Sequence, residues 1–317
     1  EGDPLPWDKR DLEEALGHLQ SHPTGVWNDI GGWRWRSHIA GHVVGAVMYE
    51  IETPDRKILW TGDFDTRDSP TTQGAQPMQA DVLFMEATYG DSDHPERAAE
   101  EQRFIDRVVE VVERGGTALV PVFANGRSQD VLKLLWKSKL KLNVHFDGMG
   151  QRVTKTFLAH PEFVNDVKGL KEAFHWSKRV SSKSDRKKAL SADVIVTTSG
   201  MLDGGPAVWY LNRLRNDPRN AILLTGYQAE GSGGRLLTET GRLQIFGKLT
   251  DIPLEVDRFA LSNHAGQKQL LEFALATQAK EVILFHSDPD VRPTLADLLE
   301  KEGVQVHMPH NHESYTI

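Results

Sequence analysis

The chain contains no cysteine, although it has 317 residues and 13 histidines. This absence excludes disulfide bonds, thiolate zinc sites and cysteine nucleophiles. Any protein-bound metal must therefore be held by histidine, aspartate or glutamate side chains. The sequence also has no run of 18 apolar residues and no visible signal peptide. We therefore expect a cytoplasmic protein that has no membrane partner.

Positive charge is scarce overall but concentrated in one segment. The chain has 37 Lys+Arg against 45 Asp+Glu, a formal net charge of −8, which excludes a globally basic nucleic-acid coat. Residues 133–188 nevertheless contain 14 basic and 5 acidic residues, a local net charge of +9. Such a segment is either a solvated surface or a track for a polyanion.

Short apolar segments alternate with amphipathic ones, a pattern typical of α/β proteins. The predicted strands are 57–61, 81–85, 117–122, 143–146, 194–198, 221–225 and 281–285. The predicted helices are 95–114, 128–137, 206–216, 267–277 and 292–302. Polar and glycine-rich loops follow several of these strands, and open α/β sheets bind ligands at the carboxyl ends of their strands.

Five histidines and carboxylates stand in or directly after apolar segments. They are His42 in SHIAGHVVGA, Asp63 in ILWTGDFD, Glu86 in LFMEATYG, His264 in FALSNHAG and His286 in VILFHSD. Taken singly, each is explained about equally well as a buried histidine or a turn carboxylate. Together they predict a cluster at one sheet edge, and imidazole with carboxylate suits catalytic zinc or a similar divalent ion.

Glycine-rich segments form a second group of candidates. They are FANGRS at 123–128, SGMLDGGP at 199–206 and GYQAEGSGGR at 226–235. All three lie near predicted strand-to-helix junctions, where exposed backbone amides bind phosphate. Glycine also serves simply to make turns, so each segment alone is weak support for a phosphate site.

In this order, the segments resemble the β-CASP branch of the metallo-β-lactamase fold, which contains RNA nucleases such as RNase J and the archaeal cleavage-and-polyadenylation-type nucleases. AGHVVGA, WTGDF, MEATYG, LSNHAG and LFHSD resemble its metal and catalytic motifs, and PVFANGRSQD and TTSGMLDGGPAVWYL resemble its inserted domain. The resemblance implies an α/β fold: a metallo-β-lactamase αββα sandwich, incomplete at its N-terminal side, with an inserted β-CASP domain. The implied boundaries are 1–93 and 251–317 for the sandwich and 94–250 for the insertion.

The same resemblance assigns roles to individual residues. His42, Asp63 and His286 become metal ligands, with Asp63 bridging two Zn²⁺ ions in a complete site, while Glu86 and His264 become catalytic. The residues assigned to RNA binding are Arg127, Ser199, Gly200, Arg235, Lys183 and Lys187. Trp209 and Tyr227 are explained at least as well as core aromatics as they are as base-stacking residues.

One family signature, His-x-His-x-Asp-His, is absent, so about half of the ligands for two zinc ions are missing. Three explanations stay open: a truncated chain, a degenerate natural protein, or a partner polypeptide that supplies the missing half. We favour truncation, because the chain begins with Glu rather than Met. From a half site we expect poor zinc binding and weak or no metal-dependent cleavage.

The expected function is that of a zinc-dependent ribonuclease that hydrolyses single-stranded RNA with a metal-activated hydroxide. Endonuclease and 5′-to-3′ exonuclease activities both stay open. One alternative is a catalytically incomplete RNA-binding protein. A hydrolase of small esters is disfavoured by the long insertion and its basic segment. Members of the family are often dimers, so a homodimer is the assembly that the resemblance suggests.

Overall fold

A computed structural model describes residues 6–314. The strands are β1 Asn28–Ile30, β2 Trp33–Ile39, β3 Val47–Glu52, β4 Lys57–Trp60, β5 Val82–Glu86, β6 Ala118–Pro121, β7 Val144–Asp147, β8 Lys178–Arg179, β9 Val194–Thr197, β10 Ala221–Leu224, β11 Arg242–Ile245, β12 Lys248–Asp251, β13 Glu255–Arg258, β14 Glu281–Phe285 and β15 Gln305–His307. The helices are α1 Lys9–Gly17, α2 Arg97–Glu113, α3 Arg127–Lys137, α4 Gly150–Ala159, α5 Val167–Trp176, α6 Lys183–Ala189, α7 Gly205–Leu214, α8 Gly233–Thr240, α9 Gln267–Thr277 and α10 Arg292–Lys301. No helix within residues 6–314 is long and apolar enough to cross a membrane.

The first sheet has seven strands in the order β1-β2-β3-β4-β5-β14-β15. Strands β1 to β4 form an antiparallel meander, whereas β4, β5, β14 and β15 run parallel. The central parallel strands bring their carboxyl ends to one edge. Because β5 and β14 are nearly 200 residues apart in sequence, the chain leaves this sheet and returns to it.

The second sheet is parallel, has six strands in the order β13-β10-β6-β9-β7-β8, and is buried on both faces. Helices α2, α3 and α5 contribute to the core on one face, and α7 and α8 to the core on the other. Its strands β6 and β10 are uninterrupted apolar runs, and β9 is apolar up to Val196, as expected where both faces are covered. The sheet extends to Arg258 at β13, past the predicted boundary at residue 250. A separate β11–β12 hairpin precedes β13.

Helix α2 illustrates how local sequence sets these elements. The Glu96 carboxylate accepts the amides of Ala98 and Ala99 at the positive end of the helix. Phe104 and Val108, spaced four apart, lie on the buried face. The helix ends just before Gly115, which adopts φ +75°.

In the part of the chain that the structure describes, helices cover only one face of the first sheet. Leu59, Met85 and Leu284 pack against α9 and α10 in a closed core. On the opposite face, Trp60 stacks on Phe84 with ring centroids 4.8 Å apart, yet Trp60 is 43% exposed and its neighbour Tyr49 is 41% exposed. Around the first sheet, the described residues therefore form one sheet layer and one helix layer, with an open apolar face.

The predicted α/β class is confirmed, and β14 and α9 have the predicted bounds. The antiparallel meander β1 to β3 was not predicted, although the Trp-Arg-Trp-Arg alternation of β2 has the strand period. Helices α4, α5 and α6 were also missed. The basic run 183–188 lies in α6, which Ser182 caps by accepting the Asp185 amide.

Two neighbouring residues on opposite faces of the first sheet test this description. We expect Leu59→Ala to lower the free energy of unfolding by about 2–5 kcal/mol, because it leaves a cavity in a closed core. Tyr49→Ser should cost less than about 1 kcal/mol, because Tyr49 is largely solvent-exposed. Urea unfolding followed by circular dichroism measures both. Equal losses of unfolding free energy in the two variants would show that the face carrying Tyr49 is covered in solution.

Candidate functional site

Three adjacent parallel strands deliver side chains to one edge of the first sheet. Asp63 follows β4, Glu86 ends β5, and His286 follows β14. His42 lies in the β2–β3 connection, and His264 in the loop before α9. The structure thus brings together all five residues that the sequence analysis placed at this edge.

Asp63 lies between two of the predicted metal ligands. Its Oδ2 is 4.0 Å from His42 Nε2, and its Oδ1 is 3.3 Å from His286 Nδ1. The backbone of His286 has φ +50°, a left-handed conformation that side-chain-bearing residues seldom adopt. The two oxygens of one carboxylate therefore face two imidazoles, an arrangement that suits a bridging ligand.

The tautomer of His42 is set by a backbone contact. Its Nδ1 donates to the carbonyl oxygen of Asn263 at 2.9 Å, so Nε2 carries the lone pair that faces Asp63. Burial, and then the nearby charge of His264, lower the pKa of His42. A neutral imidazole oriented through its other nitrogen is the form that binds metal ions.

Glu86 and His264 form a buried pair. His264 Nδ1 donates to Glu86 Oε1 at 2.7 Å, and Glu86 is fully buried. Burial alone lowers the pKa of an imidazole, but the hydrogen bond and charge of Glu86 outweigh it and raise the pKa of His264. Burial likewise raises the pKa of a carboxyl, but contacts from His264, Thr88 and the Phe64 amide hold the pKa of Glu86 below its ordinary value.

The nitrogen and oxygen atoms of this cluster fit a divalent metal ion as ligands. Suitable atoms of His42, Asp63 and His264 lie within 4.8 Å of one another. Two imidazoles and a carboxylate without sulfur match catalytic zinc sites. The geometry groups His264, assigned a catalytic role above, with the ligands, whereas His286 contacts Asp63 from its other side.

Close packing of loops fixes the position of His42. The preceding residue, Gly41, has φ +78°, and a Cβ there would lie 2.1 Å from the carbonyl oxygen of Asp65. The side chain of Arg67 binds the Asp65 carboxylate at 2.6 Å and also donates to the carbonyl oxygen of His264 at 3.2 Å. Glycine is therefore required at position 41, and one arginine links the loop of Asp65 to that of His264.

A cavity of about 680 Å³ opens above these residues, between the two sheets. Such a volume is ordinary for a ligand site. The first sheet and its loops supply His42, Val43, Thr88, Ser262, Asn263, His264, His286, Ser287 and Asp288. The insertion supplies Phe123, Asn125, Arg127, Met201, Gly226 and Tyr227.

Arg127 is the one predicted RNA-binding residue among those that line this cavity. It is 7% exposed, and its ion pair with Asp130 is long, 3.4 Å. Burial lowers the pKa of Arg127 to about 10, so the guanidinium stays charged at neutral pH. Within residues 6–314, its Nε atom has no hydrogen-bond partner. A buried, charged and incompletely paired guanidinium at a cavity wall suits an anionic ligand.

The other predicted RNA-binding residues lie outside the cavity lining. Ser199 and Gly200 follow β9, and Gly200 packs against the backbone of Phe123. Arg235, on α8, pairs with Glu239. The remaining two are the exposed α6 residues Lys183 and Lys187.

Part of the +9 segment is used internally, which its charge alone did not indicate. Lys133 is fully buried and bonds Asp166 at 2.9 Å, and Arg186 pairs with Asp147 at 2.7 Å. Of the two aromatics considered for stacking, Tyr227 lines the cavity. Trp209 lies on α7, where the Arg213 guanidinium covers its ring at 3.7 Å.

Sequence reasoning missed a polar group that joins the insertion to the site. Asp130 Oδ2 accepts from Asn263 Nδ2 at 3.0 Å, and Asp130 Oδ1 accepts from Thr71 Oγ1 at 2.8 Å. Asn263 Nδ2 also donates to the carbonyl oxygen of His42 at 3.1 Å. The only sequence signal was that Asn263 directly precedes His264.

Thr88 was also missed as a site residue, and Tyr227 was considered as a base-stacking or core aromatic but not as a partner of Asp288. Thr88 Oγ1 contacts both Glu86 and, at 3.2 Å, His286 Nδ1, so it links the two strand ends. Tyr227 reaches across the cavity and donates to Asp288 Oδ2 at 3.0 Å. For Thr88 the signal was its place two residues after Glu86.

Comparison with known proteins agrees with this geometry. Residues 130–237 match the family model of the Beta-Casp domain, and residues 250–309 match that of the Zn-dependent metallo-hydrolase RNA specificity domain. RNase aCSPSF2 of Saccharolobus solfataricus is 35% identical over 322 residues, covering 100% of this chain and 65% of the relative. Probable RNase MJ4 of Methanocaldococcus jannaschii is 35% identical over 304 residues, covering 92% of this chain and 70% of the relative.

A more distant relative is cleavage and polyadenylation specificity factor 73 of Drosophila melanogaster. It is 28% identical over 323 residues, which cover 93% of this chain and 46% of the relative. The chain thus spans between about half and 70% of the relatives it matches. It belongs to the β-CASP family of metallo-β-lactamase-fold RNA nucleases.

The Glu86–His264 pair generates a prediction for the metal-free protein. Glu86→Gln removes the charge that opposes the effect of burial, so the pKa of His264 should fall. Proton–carbon NMR of the histidine ring, recorded against pH in EDTA, measures it. Glu100→Gln is the matched control, because Glu100 is also buried but pairs with Arg103. An unchanged or higher pKa in Glu86→Gln would contradict the assignment.

Proposed function

We propose that this chain carries the nuclease activity of a zinc-dependent ribonuclease that hydrolyses RNA phosphodiester bonds. The carrying observation is the cavity itself, because His42, His264 and His286 line the same space as the buried Arg127, and Asp63 lies within metal-ligand distance of His42 and His264. The histidines and Asp63 provide metal-binding and proton-transfer groups, and Arg127 provides a positive charge for a phosphate.

His42, Asp63 and His264 would hold one zinc ion, and His286, on the other oxygen of Asp63, would contribute to a second. Zinc supplies a nucleophile at neutral pH by lowering the pKa of water, and it stabilises negative charge on a phosphoryl oxygen. Asn263 keeps the His42 ring in its ligating tautomer. Thr88 holds His286 beside Glu86.

The Glu86–His264 pair is suited to proton transfer. With Nδ1–H fixed on Glu86, the His264 ring presents Nε2 as its second nitrogen. Because Glu86 stabilises the protonated ring, His264 can carry a proton at Nε2 and give it to the leaving oxygen. The same nitrogen, Nε2, is the one that His264 would offer to a zinc ion held with His42 and Asp63. Metal binding and proton transfer would therefore compete for one atom.

Single-stranded RNA is the substrate that this arrangement favours. Arg127 would bind a phosphate beside the cluster, while Lys183 and Lys187 would attract the strand from the exposed surface of α6. Ser199, Gly200 and Arg235 complete the proposed contacts outside the cavity. Two relatives carry the name endoribonuclease, which favours internal cleavage. We further propose a cytoplasmic homodimer, to be tested by fractionation and light scattering.

RNA binding without cleavage is the second candidate. Within residues 6–314, one cluster of three residues meets the distance requirement for a metal ion. In proteins, a zinc ion is held by three protein ligands at a catalytic site and by four at a structural site. A site with fewer ligands binds zinc weakly, so this candidate predicts retained RNA affinity with no turnover.

A circular RNA tests for internal cleavage, because it has no ends for an exonuclease. We expect the zinc-loaded protein, in molar excess, to convert unpaired circular RNA into linear product. Asp63→Asn and EDTA should each abolish the product, since Asp63 contacts both ligand histidines. Gel electrophoresis measures the product. RNA that is bound but stays uncut both as a circle and as a linear strand would select RNA binding without cleavage. A protein that fails both to bind and to cut RNA would refute the proposal.

The basic surface of α6 generates a second prediction. The double variant Lys183→Gln/Lys187→Gln should weaken binding of a 20-nucleotide single strand. It should also reduce the slope of the logarithm of the binding constant against the logarithm of salt concentration by about 1.4, because each of the two lost phosphate contacts contributes roughly 0.7. Fluorescence anisotropy in EDTA across a salt series measures both quantities.

The control for this surface is Lys9→Gln/Lys268→Gln. These lysines are exposed and lie in helices α1 and α9, away from the basic segment. Equal losses in the two double variants would indicate a nonspecific charge effect and remove α6 from the proposed RNA path.

A further inference from the structure

An aromatic ring on the insertion side of the cavity has no role in the chemistry described so far. Phe123 follows β6, and its neighbour Val122 is buried in the core. Phe123 itself is 37% exposed and lines the cavity. A large apolar ring open to a cavity that also holds charged groups suits a planar apolar partner.

Two glycines keep this ring accessible. Strands β10, β6 and β9 are neighbours in the second sheet, and Phe123 follows the middle one. Gly226 follows β10, and Gly200 follows β9. A Cβ at Gly226 would lie 2.9 Å from Phe123 Cε2, and one at Gly200 would lie 2.9 Å from the backbone nitrogen of Phe123. A side chain at position 226 would therefore push against the ring, and one at position 200 would push against the backbone that carries it.

The cavity has two chemically different walls. The wall from the first sheet presents His42, His264 and His286, whereas the wall from the insertion presents Phe123, Met201 and Tyr227. Arg127 lies on the insertion side among these apolar groups. A nucleotide has the same division, since its phosphate is anionic and its base is a flat aromatic ring.

We propose that Phe123 is a stacking platform for an RNA base next to the phosphate bound at the His/Asp cluster. This inference rests on the proposed function and adds a base subsite to it. Stacking tolerates any base, because every base has an aromatic face. The platform would therefore position the strand without selecting a sequence.

An RNA with a single abasic site tests the platform directly. Single-stranded 10-mers carrying one tetrahydrofuran abasic residue, placed at successive positions, are titrated by anisotropy in EDTA. For the wild type, one position should weaken binding about 5- to 140-fold, the range of one stacked base. For Phe123→Leu, the intact RNA should already bind that much more weakly, and the abasic residue should cost nothing further.

Further variants separate stacking from folding. Phe123→Tyr should restore the wild-type pattern. Gly226→Ala should reproduce the loss while keeping the ring, because its Cβ displaces Phe123. Phe246→Leu is the matched control, since Phe246 is an exposed phenylalanine beside the β11–β12 hairpin and outside the cavity lining. Melting temperatures identify any variant that fails to fold.

The outcomes distinguish the platform from the function. If the wild type binds RNA but no abasic position depends on Phe123, the platform is refuted and the nuclease proposal stands. If the wild type binds no RNA, both are refuted. If Phe123→Leu changes only the KM for a short-chain nitrophenyl ester, the apolar wall serves an acyl group and the platform is refuted.

Discussion

A carboxylate without access to water organises this site. Glu86 is fully buried, and the Phe64 amide, the Thr88 amide and hydroxyl, and the His264 ring all donate to it. A buried charge without partners is costly, so these donors are held in place together. Through them, the ends of β4 and β5 and the loop before α9 acquire one fixed geometry, in which His264 faces the cavity.

Buried polar contacts attach the insertion to this geometry, in addition to Val44, which packs against the apolar cluster of Phe157, Val164 and Leu170. Asp130 bonds Thr71 and Asn263, and Lys133, on the next turn of α3, bonds Asp166 and the Pro70 carbonyl. Buried polar groups of this kind require particular partners, which fixes the relative position of the two sheets. The cavity depends on that position, because its lining residues come from both sides.

The two sheets contribute different chemical groups to the site. The first sheet supplies ionisable groups at strand ends, where backbone direction alone gathers them. The second sheet supplies Arg127, Phe123 and glycine-bearing loops, which present charge and flat surface without further acid–base chemistry. The open face carrying Tyr49 and Trp60 belongs to neither set of groups. Within residues 6–314 it has no helix packed on it, and because a solvated sheet face is ordinarily polar, its exposed aromatic side chains mark an uncovered apolar surface.

The amino-acid sequence alone predicted the α/β class, most central strands and the residue types at their ends. Those features are local, because apolar runs form strands and polar residues follow them. It did not determine that Lys133, counted in the basic segment, would be buried, or that Arg127 would line the cavity. Only the tertiary structure joined His42 to Asn263, 221 positions away, and placed Phe123 between Gly200 and Gly226. Such contacts depend on how strands order themselves in a sheet, and local patterns carry no record of that order.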